Sequence, residues 1–198
     1  MDVSFVSAVV ILLLVMDPFG NIPLFVSLMR NVRRARRTRV ILRECLIAFT
    51  VLLLFAFFGR PILGVLGLSG SSLSIAGGVI LFLIALRMIF RHPEGIFGDP
   101  VEGEPFIVPL AIPSIAGPAA IAAVMLMVSR APERLMATCL ALTVAMLVTV
   151  ALLLSAERIS RLAGKQVLLA LERLMGLILT AIAVEMLLRG IQTFVRGL

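Results

Sequence analysis

The segment Asp17-Pro18-Phe19-Gly20-Asn21-Ile22-Pro23 places a carboxylate and a carboxamide within a stretch, residues 3–29, that carries no other charge. Its two prolines each lack a backbone donor and disrupt the turn before them, and Gly20 adds permissive backbone. An unbroken helix through it is not expected. A second segment, Pro109-Leu110-Ala111-Ile112-Pro113-Ser114-Ile115-Ala116-Gly117-Pro118, repeats the Pro-x4-Pro spacing 95 residues later, with Ser114 as its nearest polar group. Where a helix restarts after a break, its first amides have no intrahelical partner and carry partial positive charge. Such an end suits a carboxylate. The last carbonyls of the preceding half-helix suit an ammonium group or a cation. Two such breaks would hold both poles of a zwitterion such as an amino acid.

The candidate substrate-binding residues are therefore Asp17, Pro18, Gly20, Asn21, Pro23, Pro113, Ser114, Gly117 and Pro118. Asp17 has two compatible roles. It caps the restarted helix, with Pro18 at the first helical position, or it binds a coupling proton or sodium ion or the substrate amine, as intramembrane carboxylates commonly do. Asn21 either contacts substrate or satisfies freed backbone groups. Ser114 either faces the site or bonds to its local backbone.

The elements that must position these residues follow from composition. Of 198 residues, 61% are hydrophobic and 15% charged, against roughly 45–50% and ~25% in soluble domains. This excludes a soluble fold and makes an integral membrane protein. A spanning helix needs roughly 20 apolar residues. Six spans are expected, at about 3–29, 40–59, 66–89, 106–128, 135–155 and 168–188. The first and fourth are broken. With 14 uncharged residues ahead of it, Asp17 would lie about 20 Å into a hydrocarbon core ~30 Å thick. Such irregular backbone is tolerated at depth only inside protein or beside a watery cavity.

The chain reads as a single transmembrane domain, 1–198, built from two three-helix units: about 1–91, a polar connection at 92–104, and 105–198. Residues 73–88 and 171–186 share seven identities at an offset of 98, among them Gly78/Gly176, Leu81/Leu179 and Met88/Met186. Weaker matches link spans two and five. Because three is odd, the second unit enters from the opposite face, giving the inverted repeat common in secondary transporters.

The net charge of +7 is a topology signal, not a nucleic-acid footprint. With both termini periplasmic or extracellular, 13 basic residues fall inside and 5 outside, as the positive-inside rule requires. The run Arg30 to Arg43 is read as a cytoplasmic loop beside anionic headgroups. No cleaved signal peptide is expected, since the start lacks a basic n-region and a small-residue cleavage site. Cys45 and Cys139 fall in apolar runs and read as packing residues. The single His92 and the scattered methionines offer no metal site. No cofactor is expected, no P-loop is present, and no nucleophile–base set within the spans points to an enzyme.

The two proline-bearing segments, together with residues 73–88 and Leu171-Glu-Arg-Leu-Met-Gly-Leu-Ile-Leu179, closely resemble the MarC family, a group of six-span bacterial and archaeal inner-membrane proteins also classed as neutral amino acid transporters. The resemblance spans essentially the whole chain. It implies export or exchange of small neutral amino acids, with those amino acids, a proton or sodium ion and the lipid bilayer as partners; a homo-oligomer is compatible with it. A channel or efflux route for unrelated hydrophobic compounds, of the kind the family's antibiotic-resistance name suggests, and a non-transporting membrane scaffold are the competing readings.

Overall fold

A computed structural model describes residues 4–29, 32–65, 67, 69–90 and 110–196. The expected connection at 92–104 and the start of the second unit lie outside the described residues. All regular structure among the described residues is helical: α1 (Phe5–Met16), α2 (Asn21–Met29), α3 (Arg34–Val65), α4 (Gly70–Ile89), a wide turn at Leu110–Ile115, α5 (Pro118–Arg130), a short turn at Pro132–Arg134, α6 (Leu135–Leu154) and α7 (Ala156–Arg196).

Among the described residues, four helical stretches are long and apolar enough to cross a membrane: Arg34–Gly59, Gly70–Ile89, Pro132–Leu154 and Gln166–Arg196. Phe5–Met16 and Pro118–Ser129 are apolar but shorter. These short pieces fall where the first and fourth spans are expected to break. At ~1.5 Å per residue, α1 rises about 18 Å and α2 about 14 Å, so neither half crosses alone.

The distribution of polarity is that of a protein in lipid. Large apolar side chains such as Leu46, Phe58, Leu147 and Leu188 face outward, while Asp17, Asn21, Glu44, Ser74, Thr138 and Thr149 are buried. The buried hydroxyl of Thr149 donates to the Ala145 carbonyl one turn back. That of Ser74 donates across the α4–α7 interface to the Met186 carbonyl, at 2.9 Å. Each polar group at these sites thus finds a partner inside the protein, as hydrocarbon demands.

The α4–α7 pair forms the most extensive helix contact. Small residues let the two backbones approach closely. A β-carbon on Gly78 would stand 3.0 Å from the Ala183 carbonyl oxygen and against the Leu187 side chain; one on Gly176 would stand 3.1 Å from the Ala85 carbonyl oxygen and against Ile89. Gly176, Ala183 and Leu187 lie 98 residues after Gly78, Ala85 and Ile89. The contact is therefore reciprocal, and the residue numbers run in opposite senses along the two helices. Gly78→Ala and Gly176→Ala should each cost about 1–3 kcal/mol, the usual penalty for overpacking a tight contact. The double variant should cost less than the sum, because parting the helices for one methyl makes room for the other. Thermal unfolding in detergent reads both; unchanged single variants would contradict this close approach.

Two helices begin earlier than expected. The basic run from Arg34 onward is helical rather than loop, because arginine is a good helix former and nothing breaks the chain between Arg34 and Pro61. Glu44 lies inside α3, fully buried by protein and paired with Arg43 at 2.8 Å. α7 likewise begins at Ala156, and its first two turns are set off from the long apolar stretch by Gly164 at φ 74°. Glu185 pairs with Arg189 one turn on. Cys45 is buried and Cys139 half-buried, both free thiols.

Candidate functional site at the junction of two helix breaks

Both breaks fall at a residue that precedes a proline. A proline disfavours the helical conformation in the residue before it. Asp17, before Pro18, takes the left-handed region at φ 42°, ψ 61°, one that Asp tolerates better than most residues. Ile112, before Pro113, is extended at φ −129°, ψ 129°. Gly117, before Pro118, is also extended and leads into α5 with Pro118 at its first position, where a missing N–H costs nothing.

At the first break, the Asp17 N–H still donates to the Leu13 carbonyl at 3.0 Å and closes α1. Its side chain turns forward: Oδ1 accepts the Gly20 N–H at 3.0 Å. The Asn21 N–H donates to the Asp17 carbonyl at 3.1 Å and starts α2. Asp17 thus makes the forward, three-residue bond of a capping side chain, but the regular helix starts at Asn21, so Pro18 lies in the turn and is not the first helical residue. Among the described residues Asp17 meets no basic side chain at ion-pair distance, and it is buried.

At the second break, the Ala116 N–H reaches the Ala111 carbonyl at 2.9 Å, a turn one residue wider than an α-helix. Leu110, Ala111, Ile115 and Ala116 are fully buried. The irregular backbone is therefore enclosed by protein, which is the condition for its survival at depth.

Asn21 ties the two breaks together. Its Nδ2 donates to the Met16 carbonyl at 3.0 Å and to the Ser114 carbonyl at 3.2 Å. Its Oδ1 accepts the Ser114 hydroxyl at 2.6 Å. The Met16 carbonyl is one of those left over at the end of α1, so the carboxamide does satisfy freed backbone. Ser114 bonds across to Asn21 rather than to its own backbone.

Beside this bridge lies a cavity of about 30 Å³, lined by Asp17, Gly20, Asn21, Ser114, Gly117 and Pro118. It has room for about two water molecules, not for an amino acid. The first turn of α5, including Ala119 and Ala120, forms part of its wall, and that helix end has no side-chain cap. A carboxylate and an uncapped helix N-terminus, opposite in charge, thus border one space. Six of the nine residues singled out from sequence line it. Pro18 belongs to the turn and does not. Pro23 lies in the first turn of α2 and Pro113 follows the extended Ile112; their side chains lie outside what the structure describes.

The remaining wall was not anticipated. Val15, Leu81, Ile84, Met88 and Leu179 supply apolar surface from α1, α4 and α7. One signal was present: Leu81/Leu179, Ile84/Ile182 and Met88/Met186 are identical pairs in the repeat alignment. Among the described residues no group of three or more His, Cys, Asp or Glu side chains is gathered to hold a metal.

Comparison with known proteins gives a consistent result. A profile described as MarC family integral membrane protein matches residues 3–195. The Escherichia coli K12 inner membrane protein YhgN, of the group named UPF0056, is 45% identical over 193 residues, covering 97% of this chain and 98% of the relative. A UPF0056 membrane protein of Buchnera aphidicola subsp. Baizongia pistaciae is 41% identical over 192 residues, 96% of each chain. The archaeal UPF0056 membrane protein MJ1677 of Methanocaldococcus jannaschii is 36% identical over 186 residues, 90% of this chain and 91% of the relative. No solved structure matches.

Proposed function

The chain belongs to the MarC family of integral membrane proteins, and from that premise we propose that it is an inner-membrane secondary transporter that exports or exchanges small neutral amino acids by alternating access. The observation that carries this reading is the meeting of two helix breaks, one from each half of the chain, at the Asn21–Ser114 bridge. Interrupted helices in corresponding positions of two halves mark the binding site of repeat-built transporters. The reciprocal Gly78 and Gly176 contacts support reading the halves as an inverted repeat of three spans each. The inner-membrane assignment draws on the name of the Escherichia coli relative.

In this reading the substrate carboxylate lies at the uncapped start of α5 and the ammonium group lies toward Asp17. The small cavity corresponds to a closed state. To admit substrate the two breaks part, the Asn21–Ser114 bonds open, and the released carboxamide and hydroxyl turn to the substrate. Asp17, buried without a basic partner among the described residues, takes the coupling proton or sodium ion. Apolar walls from Leu81, Ile84 and Leu179 suit a short uncharged side chain. No chemical conversion of the substrate is involved.

The experiment is gradient-driven flux in proteoliposomes. With labelled alanine, serine or threonine and an imposed proton or sodium gradient, wild-type protein should move label above the level of empty vesicles. Asp17→Asn should retain exchange but lose its response to the gradient, since the amide keeps the acceptor for Gly20 and removes the charge. Full gradient coupling in Asp17→Asn would remove the coupling role from this residue. Flux equal to empty vesicles for every neutral amino acid would remove the transport reading itself.

A further inference from the structure

A second cavity forms between α2, the start of α3, the end of α6 and the start of α7. Its volume is about 230 Å³. Arg34, Arg37, Arg158 and Arg161 line it, with a single carboxylate, Glu157. Glu157 is already engaged by Arg37 and, at 3.5 Å, by Arg161. The Arg37 Nε also donates to the Val32 carbonyl at 3.0 Å, which fixes its position. Arg34 and Arg158 are exposed and have no carboxylate partner among the described residues. The cavity therefore carries a surplus of positive charge. It is sharpened by two helix N-termini, since α3 starts at Arg34 and α7 at Ala156.

The floor is of opposite character. Phe25, Met29 and Ile41 are buried beneath the arginines, and Leu154 faces outward at the wall. From Thr38 at the rim, Leu42 and Leu46 follow at one-turn spacing down the same face of α3 and are exposed. A phosphate group in the cavity would thus have an apolar track leading away from it along the helix surface. The charge count assigns this end of the molecule to the cytoplasmic leaflet, where anionic lipids gather.

We propose that this cavity is a specific site for an anionic phospholipid: the phosphate is held by Arg34 and Arg158, with Arg37 and Arg161 behind them, and an acyl chain lies over Leu42 and Leu46. The ligand chemistry is a phosphate ester, and the apolar track selects the lipid over a free one. Bound in this way, the lipid would tie the start of α3 to the start of α7, which the Arg37–Glu157 pair also bridges by charge. The site is independent of the transport reading and stands or falls without it.

The test is native mass spectrometry of the purified full chain, incubated with equal amounts of phosphatidylglycerol and phosphatidylcholine. Wild type should retain phosphatidylglycerol preferentially. Arg34→Gln combined with Arg158→Gln should lower that retention at least tenfold, since each cation near an anionic headgroup contributes about fivefold. Both residues are exposed, and an unchanged unfolding temperature in phosphatidylcholine alone checks that the variant is folded. Arg189→Gln with Arg196→Gln removes the same charge elsewhere and should leave retention intact. Equal retention by the first double variant, or equal loss in the second, would overturn the site. A third arm adds inorganic phosphate or glycerol phosphate at the lipid's concentration. Failure to displace the lipid supports the proposal; full displacement would show that the chains contribute nothing and overturn the lipid assignment.

Discussion

Gly20→Ala should abolish transport and lower the unfolding temperature by roughly 6–12 °C, the shift that about 3 kcal/mol produces in a chain of this size. The added β-carbon would fall 2.0 Å from the Asp17 Oδ2 and 2.4 Å from the Met88 Cε. Met88 is a flexible side chain and can move. Asp17 cannot, because its carboxylate is held by the N–H of Gly20 itself; to relieve the clash it must give up the bond that shapes the turn. Adding Met88→Ala to Gly20→Ala therefore relieves only the lesser contact and should not restore transport. Thermal unfolding and flux in proteoliposomes check both variants. A Gly20→Ala protein with normal stability and flux would mean that the Asp17 turn is not built as described.

Asn21→Ala is the second large effect. It removes three hydrogen bonds and leaves the Met16 carbonyl and the Ser114 hydroxyl inside the protein without their partner. A stranded buried polar group costs about 1–3 kcal/mol. Flux should fall at least about tenfold, the equivalent of 1.4 kcal/mol in the barrier. Ser114→Ala removes only one of the three bonds and should be milder, within a few-fold of wild type. The two changes should not add: once Asn21 is gone the Ser114 hydroxyl has lost its partner, so the double variant should resemble Asn21→Ala alone. Strictly additive losses in flux and stability would show that the two residues act separately and that the breaks are not coupled through this bridge.

The positions of the breaks were legible in the sequence because proline acts locally. Pro18 and Pro113 each impose a non-helical conformation on the residue before them, and no tertiary information is needed to see it. That Asn21 reaches Ser114 was not legible. The residues are 93 positions apart, and only the packing of the two halves brings them together. The apolar wall of the cavity was hidden for another reason. In a chain rich in Leu, Ile, Val and Ala, Ile84 and Met88 are indistinguishable by type from their lipid-facing neighbours. Only the repeat alignment set them apart, since Leu81/Leu179, Ile84/Ile182 and Met88/Met186 are all identical pairs in it. The start of α3 was hidden too: the basic run from Arg34 is helical where a loop is expected, and Glu44 is buried with Arg43 as its partner.

The capping role of Asp17 illustrates the difference between a residue's bond and its place in an element. The forward bond to the third residue was expected and is present. The left-handed backbone that makes Asp17 the end of α1 was not, because a side-chain cap is ordinarily extended. Both features keep the carboxylate at the gap between two half-helices, beside the first turn of α5.

The central claim is that a neutral amino acid passes between the two breaks, and counterflow tests it most directly. Proteoliposomes preloaded with an unlabelled L-amino acid are diluted into a trace of the same labelled compound, with no ion gradient imposed. The account predicts a transient accumulation of label that saturates with concentration, prefers the L over the D form for at least one small neutral amino acid, and is lost in Asn21→Ala. Uptake that matches empty vesicles across all neutral amino acids, or that neither saturates nor distinguishes L from D, would contradict it.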